Sequence, residues 1–269
     1  MFIIGNKEFD LENKCYIMGI LNVTPDSFSD GGKWNNMDSA LKHTEEMIKE
    51  GASIIDIGGE STRPGHVVIS EGEEIERVVP IIERVKKEFD IVVSIDSYKS
   101  NVVDAALKAG ADLVNDIWGL KHDERMAELI AKSGAACCLM HNRHEANYNN
   151  FMEDMKNDLR ETIEIAQKAG ITKDKIILDP GVGFGKTYEN NLTAINHLEE
   201  LKELGYPVLL ATSRKSVIGL TLDLPADQRV EGTVATSVMG VMKGASFVRV
   251  HDVKENLRAI RMTEAILKG

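Results

Sequence analysis

The sequence predicts an α/β chain folded as a (β/α)8 barrel, and three observations carry that expectation. Short apolar runs rich in Val and Ile alternate with longer segments of helical periodicity along all 269 residues. No linker or low-complexity break interrupts the alternation, so residues 1–269 read as a single domain. A helix-to-strand joint recurs as EGAS, KAGAD, KSGAA and KGAS, as expected of units of one kind. Eight βα units in about 250 residues match the size and count of such a barrel. A doubly wound open sheet shares this periodicity and stays open as the alternative, because periodicity carries no sign of closure.

The first strand, residues 17–23, gives way to a polar loop in which Phe28 is stranded among hydroxyls and carboxylates ahead of Gly31 and Gly32. A helix over 38–50 ends at Gly51, and the apolar run 54–57 follows. The helix over 71–89 leads to strand 92–95, and the helix over 99–109, stopped by Gly110, leads to strand 113–116. Gly134 precedes strand 136–140. The helix over 151–169 ends at Gly170 before strand 176–179, and the helix over 189–204 ends at Gly205 before strand 208–211. Gly244 precedes strand 247–250, and a last helix covers 253–267. These glycines stand where a helix is closed by a left-handed residue.

With 43% hydrophobic residues the chain is long enough to bury a large core. Lys and Arg number 32 against 43 Asp and Glu, and the net charge of −11 argues against a nucleic-acid or membrane-surface partner. Any bound anion must then be met by local cations. Cys15, Cys137 and Cys138 form neither a disulfide framework nor a metal-ligand spacing, as in a reduced cytoplasmic protein. Met1 runs into Phe2, Ile3 and Ile4 without a basic region or a long apolar stretch, so neither a secretion signal nor a transmembrane helix is expected.

In either architecture the site is expected at the carboxyl ends of the strands. Those ends are polar: Asn22; Gly58 through Glu60, Ser61, Thr62, Arg63 and Pro64; Asp96; Asn115 and Asp116; His141; Asp179; Ser213, Arg214 and Lys215; Arg249 and His251. Each alone has a plain competing role, since βα loops are polar and Asp, Asn and Ser cap helices. Eight ends converging on one mouth, with side chains too large for caps, point instead to a shared site. Asn and Asp groups suit a flat heterocycle with several ring N–H and amino donors. Arg63, Lys215, Arg249 and His251 are cations on an acidic chain, and the last two strand ends of a barrel often hold phosphate. The ligand these residues predict is a heterocycle beside a phosphate or diphosphate.

Two patterns are set aside. GVGFGKT at 181–187 has the wrong spacing for a phosphate-binding P-loop, which would put its first glycine at Pro180; Gly181, Gly183 and Gly185 also lack the dinucleotide spacing. The stretch reads as a glycine loop beside Asp179. His141 and His144 have no Cys or carboxylate cluster beside them to complete a zinc site, and Cys137 with Cys138 lies in an apolar run as core.

MGILNVTPDSFSDGG, DIGGESTRPG, SIDSYKS, VND, LMH, LDPGVGFGKT, SRKS and RVHDV, in that order from Met18 to Val253, resemble the dihydropteroate synthase family of the folate pathway. The likeness spans nearly the whole chain. It implies a (β/α)8 barrel that joins 6-hydroxymethyl-7,8-dihydropterin pyrophosphate to p-aminobenzoate and releases pyrophosphate, with Mg2+ as cofactor. By the same resemblance Asp96, Asn115, Asp179 and Lys215 surround the pterin, and Asn22, Arg63, Arg249 and His251 hold the diphosphate. Phe28, Thr62, Pro64, Lys215 and Ser216 form the p-aminobenzoate site, and Asn22 and Asp30 lie near the metal. Lys215, Arg63, Asp96 and Asp179 are the implied catalytic residues. Arg249→Ala is then expected to lower turnover and leave the fold intact. The loop carrying Phe28 is expected to close over the aryl amine and bury that ring against it. The family is usually homodimeric, and the stripe Val253, Leu257, Ile260, Leu267 on the last helix suits a dimer or the barrel itself.

Two stretches depart from the family's pattern. Asn142, Arg143, His144, Glu145, Ala146 and Asn147 stand where Gly, Pro and a Met-Gln pair are common, and Ala211 and Thr212 precede SRKS where a Gly is common. A pterin-binding methyltransferase of the related barrel family shares the pterin-facing Asp and Asn positions but holds no diphosphate, so GESTRPG, SRKS and RVHDV speak against it. A non-catalytic pterin-binding paralogue would lack loop residues or the strand-eight Arg and His, and none is missing here.

Overall fold

The computed structural model describes residues 1–24, 33–60 and 68–269, with the backbone alone over 33–36. Phe28, Asp30, Thr62, Arg63 and Pro64, and with them the expected closing loop, lie outside the described residues. Two short antiparallel strands come first, β1 (Phe2–Ile4) and β2 (Lys7–Phe9). The barrel strands follow: β3 (Tyr16–Asn22), β4 (Ile54–Gly58), β5 (Val92–Asp96), β6 (Leu113–Asp116), β7 (Ala136–Met140), β8 (Ile176–Asp179), β9 (Leu209–Leu210) and β10 (Phe247–Val250). Between and after them run α1 (Lys33–Glu50), α2 (Glu71–Glu88), α3 (Ser100–Lys108), α4 (Arg125–Ser133), α5 (Phe151–Ala169), α6 (Tyr188–Asn196), α7 (Ser216–Leu222), α8 (Val230–Met242) and α9 (Val253–Lys268).

The parallel sheet has the order β8-β7-β6-β5-β4-β3-β10-β9. Its two ends meet: Leu178 of β8 bridges Val208 in parallel, and the Leu178 N–H donates to the Pro207 carbonyl at 2.9 Å. That contact closes the ring and disposes of the open-sheet alternative. Pro207 has no N–H to give a ladder, which fits a short β9 beginning after it.

Alternation of side chains across the pleat then builds the site. Met18, Ile54, Val92, Leu113, Ala136, Ile177, Leu209 and Phe247 face the barrel interior in one buried cluster with Phe2, Ile4 and Phe9 of the hairpin. Phe9 packs edge-on against Phe247 at 5.6 Å and Tyr16 at 4.8 Å, so β1 and β2 plug the amino-terminal end. Each phenylalanine buried there contributes about 1.5–3 kcal/mol. Two residues further along five of these strands, on the same interior face, stand Asp56, Ser94, Asn115, Asp179 and Arg249; the other three carry Ile20, Cys138 and Ala211 there. The intervening residues Ile55, Ile57, Val93, Ile95, Val114, Leu139, Leu178, Val248 and Val250 face outward and pack on the helices, against Val78, Ile82, Val102, Ile130, Leu159 and Ile260. The interior is thus apolar at one end and polar at the other.

The glycines predicted to stop helices, Gly51, Gly110, Gly134, Gly170, Gly205 and Gly244, all have positive φ. Two of the expected helices differ from expectation. The helix expected over 38–50 already begins at Lys33. The helix expected over 189–204 leaves α geometry at His197 (φ −116°, ψ 27°) and continues as a 3-10 stretch, Leu198–Leu204; hydrophobic spacing does not separate the two helix types. The hairpin and helices α4, α7 and α8 were not among the elements read from the sequence. No helix among the described residues is long and apolar enough to cross a membrane.

Candidate active site

Arg249, two residues beyond Phe247, reaches inward and joins two buried carboxylates. Its Nε donates to Asp56 Oδ2 at 2.5 Å and its Nη2 to Asp96 Oδ2 at 2.6 Å. Asn115 Nδ2 donates to the same Asp56 oxygen at 3.1 Å. The second oxygens of Asp56 and Asp96 are buried without a hydrogen-bond partner among the described residues. A buried carboxylate oxygen left so is an acceptor awaiting a donor. Burial raises the Asp96 carboxyl well above the usual range, Arg249 pulls it down, and Asp56 pushes it up again. Removing Arg249 would strand two buried carboxylates, so Arg249→Ala is expected to cost stability as well as turnover.

Asp179 closes the opposite wall. It is buried, and its Oδ1 accepts the Gly181 N–H at 2.7 Å. Burial raises its pKa, and Lys215 is the strongest opposing influence. Lys215 follows β9 as the residue before α7, with Nζ donating to the Val182 carbonyl at 2.5 Å and lying 4.8 Å from the Phe184 ring. Part of its stem is exposed, but packing about the ammonium pushes its pKa down to about 8, against the pull of Asp179. Gly183 makes room for it: a Cβ at that glycine would stand 3.3 Å from Lys215 Cδ.

The rim carries the remaining predicted residues. His251 donates its backbone N–H to Ser213 Oγ at 3.1 Å, and the same oxygen meets His251 Nδ1 at 2.9 Å. Arg214 pairs with Asp252 through Nε at 3.0 Å and Nη2 at 2.5 Å, so Asp252 spends its carboxylate there and makes no side-chain cap for α9. Asn22 ends β3 half-buried; a Cβ at Gly58 would meet Asp96 Oδ2 at 3.6 Å and Asn22 Oδ1 at 3.9 Å, so that glycine keeps open the gap between them. Ser216, the first residue of α7, is exposed. Among the described residues no group of three or more His, Cys, Asp and Glu is placed to hold a metal ion.

The sequence profile of the family described as "Pterin binding enzyme" matches residues 18–251. The chain belongs to that family. Within it, the dihydropteroate synthase of Clostridium beijerinckii is 62% identical over 266 residues, 98% of this chain and 99% of that one. The solved structure of the Clostridium difficile dihydropteroate synthase, in the presence of pteroic acid, superposes with a TM-score of 0.95 at 54% identity, covering 97% of this chain and 100% of that one. The Xanthomonas albilineans enzyme with 4-aminobenzoic acid has a TM-score of 0.91 at 39% identity, covering 96% and 94%.

This member of the pterin binding enzyme family also holds residues that sequence reading missed. Asp56 lies in the middle of an apolar run, where no loop points to it; the signal was its parity with Ile54, which puts it inside the barrel. Glu60, just past β4, accepts from Lys99 Nζ at 2.6 Å, Tyr98 Oη at 2.8 Å and the Ile69 N–H at 3.0 Å, tying the two described edges of the 61–67 stretch together. Asp116, read as a rim residue, faces away from the mouth and accepts the Trp118 and Leu120 N–H groups at 2.8 and 2.7 Å. His141, just past β7, is fully buried, with Nε2 3.0 Å from Asp158 Oδ2 and Nδ1 2.8 Å from Lys186 Nζ. His144 is exposed beside Trp118, ring centroids 4.5 Å apart.

Proposed function

We propose that this dihydropteroate synthase relative condenses 6-hydroxymethyl-7,8-dihydropterin pyrophosphate with p-aminobenzoate, giving 7,8-dihydropteroate and pyrophosphate. The single observation that carries this is the pairing of buried acceptors with cations in one mouth: Asp96, Asn115 and Asp179 face Lys215 and Arg249. The acceptors suit a donor-rich pterin, and the unpartnered oxygen of Asp96 is where a ring or amino N–H gains most. Relatives solved with pteroic acid and with 4-aminobenzoic acid support the two substrate classes.

Charge sets the order of events. An aryl amine is a weak nucleophile, so the reaction gains if pyrophosphate departs before the amine attacks. The pterin then carries a methylene cation, and Asp96 and Asp179 favour that electron-poor ring over the neutral one. Lys215 donates to the ring from the side of Val182. Arg249, His251, Asn22 and Arg63 take the diphosphate, and p-aminobenzoate lies among Phe28, Thr62, Pro64 and Ser216. Mg2+ takes few protein oxygens and keeps water and phosphate ligands. Asn22, whose Oδ1 borders the gap at Gly58, fits that demand, with Asp30 as the second protein ligand. When bound, the ion would neutralise diphosphate charge. Residues 1–269 act as one pterin-binding domain, in the cytoplasm and as a homodimer.

Incubating the protein with the dihydropterin diphosphate, p-aminobenzoate and Mg2+ tests the proposal, with dihydropteroate and pyrophosphate expected in equal amounts. Binding of the pterin with no product, across pH and metal concentration, would leave the non-catalytic paralogue as the correct reading.

A further inference from the structure

We infer that Lys186 is a positioning residue, clamping the glycine loop 181–187 onto the end of β7 so that the pterin floor keeps its shape. This rests on reading the mouth as a pterin site. Lys186 Nζ lies 2.8 Å from His141 Nδ1, 3.0 Å from the Phe184 carbonyl and 3.4 Å from the His141 carbonyl. An ammonium has three donors, and here are three acceptors. Behind His141, Asp158 of α5 faces Nε2 at 3.0 Å and accepts from Arg143 Nε at 2.6 Å and Nη2 at 3.1 Å. Nε2 therefore carries the ring proton and Nδ1 is left to accept from Lys186.

The glycines explain why the loop can lie so close. Gly181 has φ +69°, and a Cβ there would stand 1.9 Å from the His141 carbonyl oxygen and 3.2 Å from Lys186 Nζ. A Cβ at Gly185 would meet the Arg143 carbonyl oxygen at 2.2 Å, and the Gly185 carbonyl itself accepts from Tyr148 Oη at 2.7 Å. The departure from the family's pattern at 142–147 thus contributes Arg143 to the clamp, and Arg143 also lies 4.4 Å over the Tyr148 ring.

What the loop presents toward the mouth gives the clamp its purpose. Val182 offers the carbonyl that holds Lys215, the Gly181 N–H holds Asp179, and Phe184 lies beside the Lys215 ammonium. Lys186 also favours the Asp179 carboxylate by its charge. Burial, with Lys215 adding to it, lowers Lys186 to about 7, while Asp179 and Asp158 hold the proton on. The chain Arg143, Asp158, His141, Lys186 and Asp179 is one alternation of charge and hydrogen bond from α5 to the pterin wall.

Two variants, Lys186→Met and Lys186→Arg, test this with three readouts. The affinity for the dihydropterin diphosphate, measured calorimetrically without p-aminobenzoate, is expected to fall by about 10- to 100-fold in Lys186→Met, the scale of an ångström-sized misplacement. The KM for p-aminobenzoate is expected to stay within about twofold, and Lys186→Arg to recover part of the pterin affinity. Independently of any pterin, 15N NMR is expected to show His141 titrating higher in Lys186→Met, because a neighbouring cation is gone while Asp158 and Arg143 remain. A folded Lys186→Met protein with parental pterin affinity, or one that loses both substrates equally, overturns the inference. An unchanged His141 titration overturns the clamp itself. A parent protein that does not bind the pterin instead overturns the reading of the mouth, and the His141 titration still decides the clamp.

Discussion

Arg249 satisfies two carboxylates before it meets any substrate. Its side chain is only 14% exposed, and its pairs with Asp56 and Asp96 are direct. Breaking a buried ion pair from one side typically destabilises by about 3–5 kcal/mol. Arg249→Ala is therefore expected to lower the urea midpoint as well as turnover, the latter by about 10²- to 10³-fold. A variant of parental stability would show the two carboxylates to be protonated or otherwise relieved. His141 makes a second prediction. Burial holds it down at about 4, below its ordinary 6.5, although Asp158 pulls the other way. Lys186 and Arg143 also face it and lower it further. Between those values the unfolded chain takes up a proton at this ring and the native chain does not, so stability falls as pH drops from about 6.5 to 4. The full span is worth about 3 kcal/mol. In His141→Asn the fall in urea-measured stability over that window should be shallower by about this amount; an unchanged slope would remove His141 as its source.

The start of α6 shows how an element shapes a site that it does not itself line. Thr187 and Asn190 form a reciprocal capping box at the start of α6, the Asn190 N–H bonding Thr187 Oγ1 at 3.1 Å and the Thr187 N–H bonding Asn190 Oδ1 at 3.2 Å. One residue on, buried Asn191 accepts the Gly183 N–H at 2.6 Å and donates to the Thr187 carbonyl at 2.8 Å. The helix start thereby grips the loop whose Val182 carbonyl anchors Lys215. Asn191→Ala leaves the Gly183 N–H unpaired, which should destabilise by about 1–3 kcal/mol. Guanidinium unfolding would measure it, and a loss below a few tenths of a kcal/mol would mean that the loop finds another acceptor.

The closed ring of parallel strands sets the large-scale surfaces. Of the stripe expected to serve either barrel or dimer, Val253 and Ile260 are fully buried, Leu257 packs against the core, and Leu267 alone is largely exposed. The stripe belongs to the barrel. Large apolar side chains are exposed instead at Leu220 and Leu222 of α7, Met239 and Met242 of α8, and Met262 and Ile266 of α9. Such a collection on three successive helices is what a subunit interface covers. Sedimentation equilibrium is expected to give twice the chain mass of 29.7 kDa, and Met242→Glu to shift the protein toward the single-chain value. A parent protein sedimenting as one chain would end the homodimer reading.

Much of this was legible in the chain because it is written locally. Strands announce themselves as short β-branched runs, and Asp96, Asn115, Asp179, Lys215, Arg249 and His251 stand at or just past the ends of those runs, where a barrel gathers its chemistry. Asp56, hidden in an apolar run, and Lys186, hidden in a glycine stretch, gave no such local sign. Their meaning lies in partners far along the chain: Asp56 meets Arg249 across 193 positions, and Lys186 meets His141 across 45. Side-chain period and strand ends therefore determined the fold class and most of the mouth. Closure at Leu178 and Val208, the occupation of Arg249 by two carboxylates, and the clamp behind Asp179 were decided by tertiary structure alone, because only folding selects which distant polar groups must satisfy one another out of water.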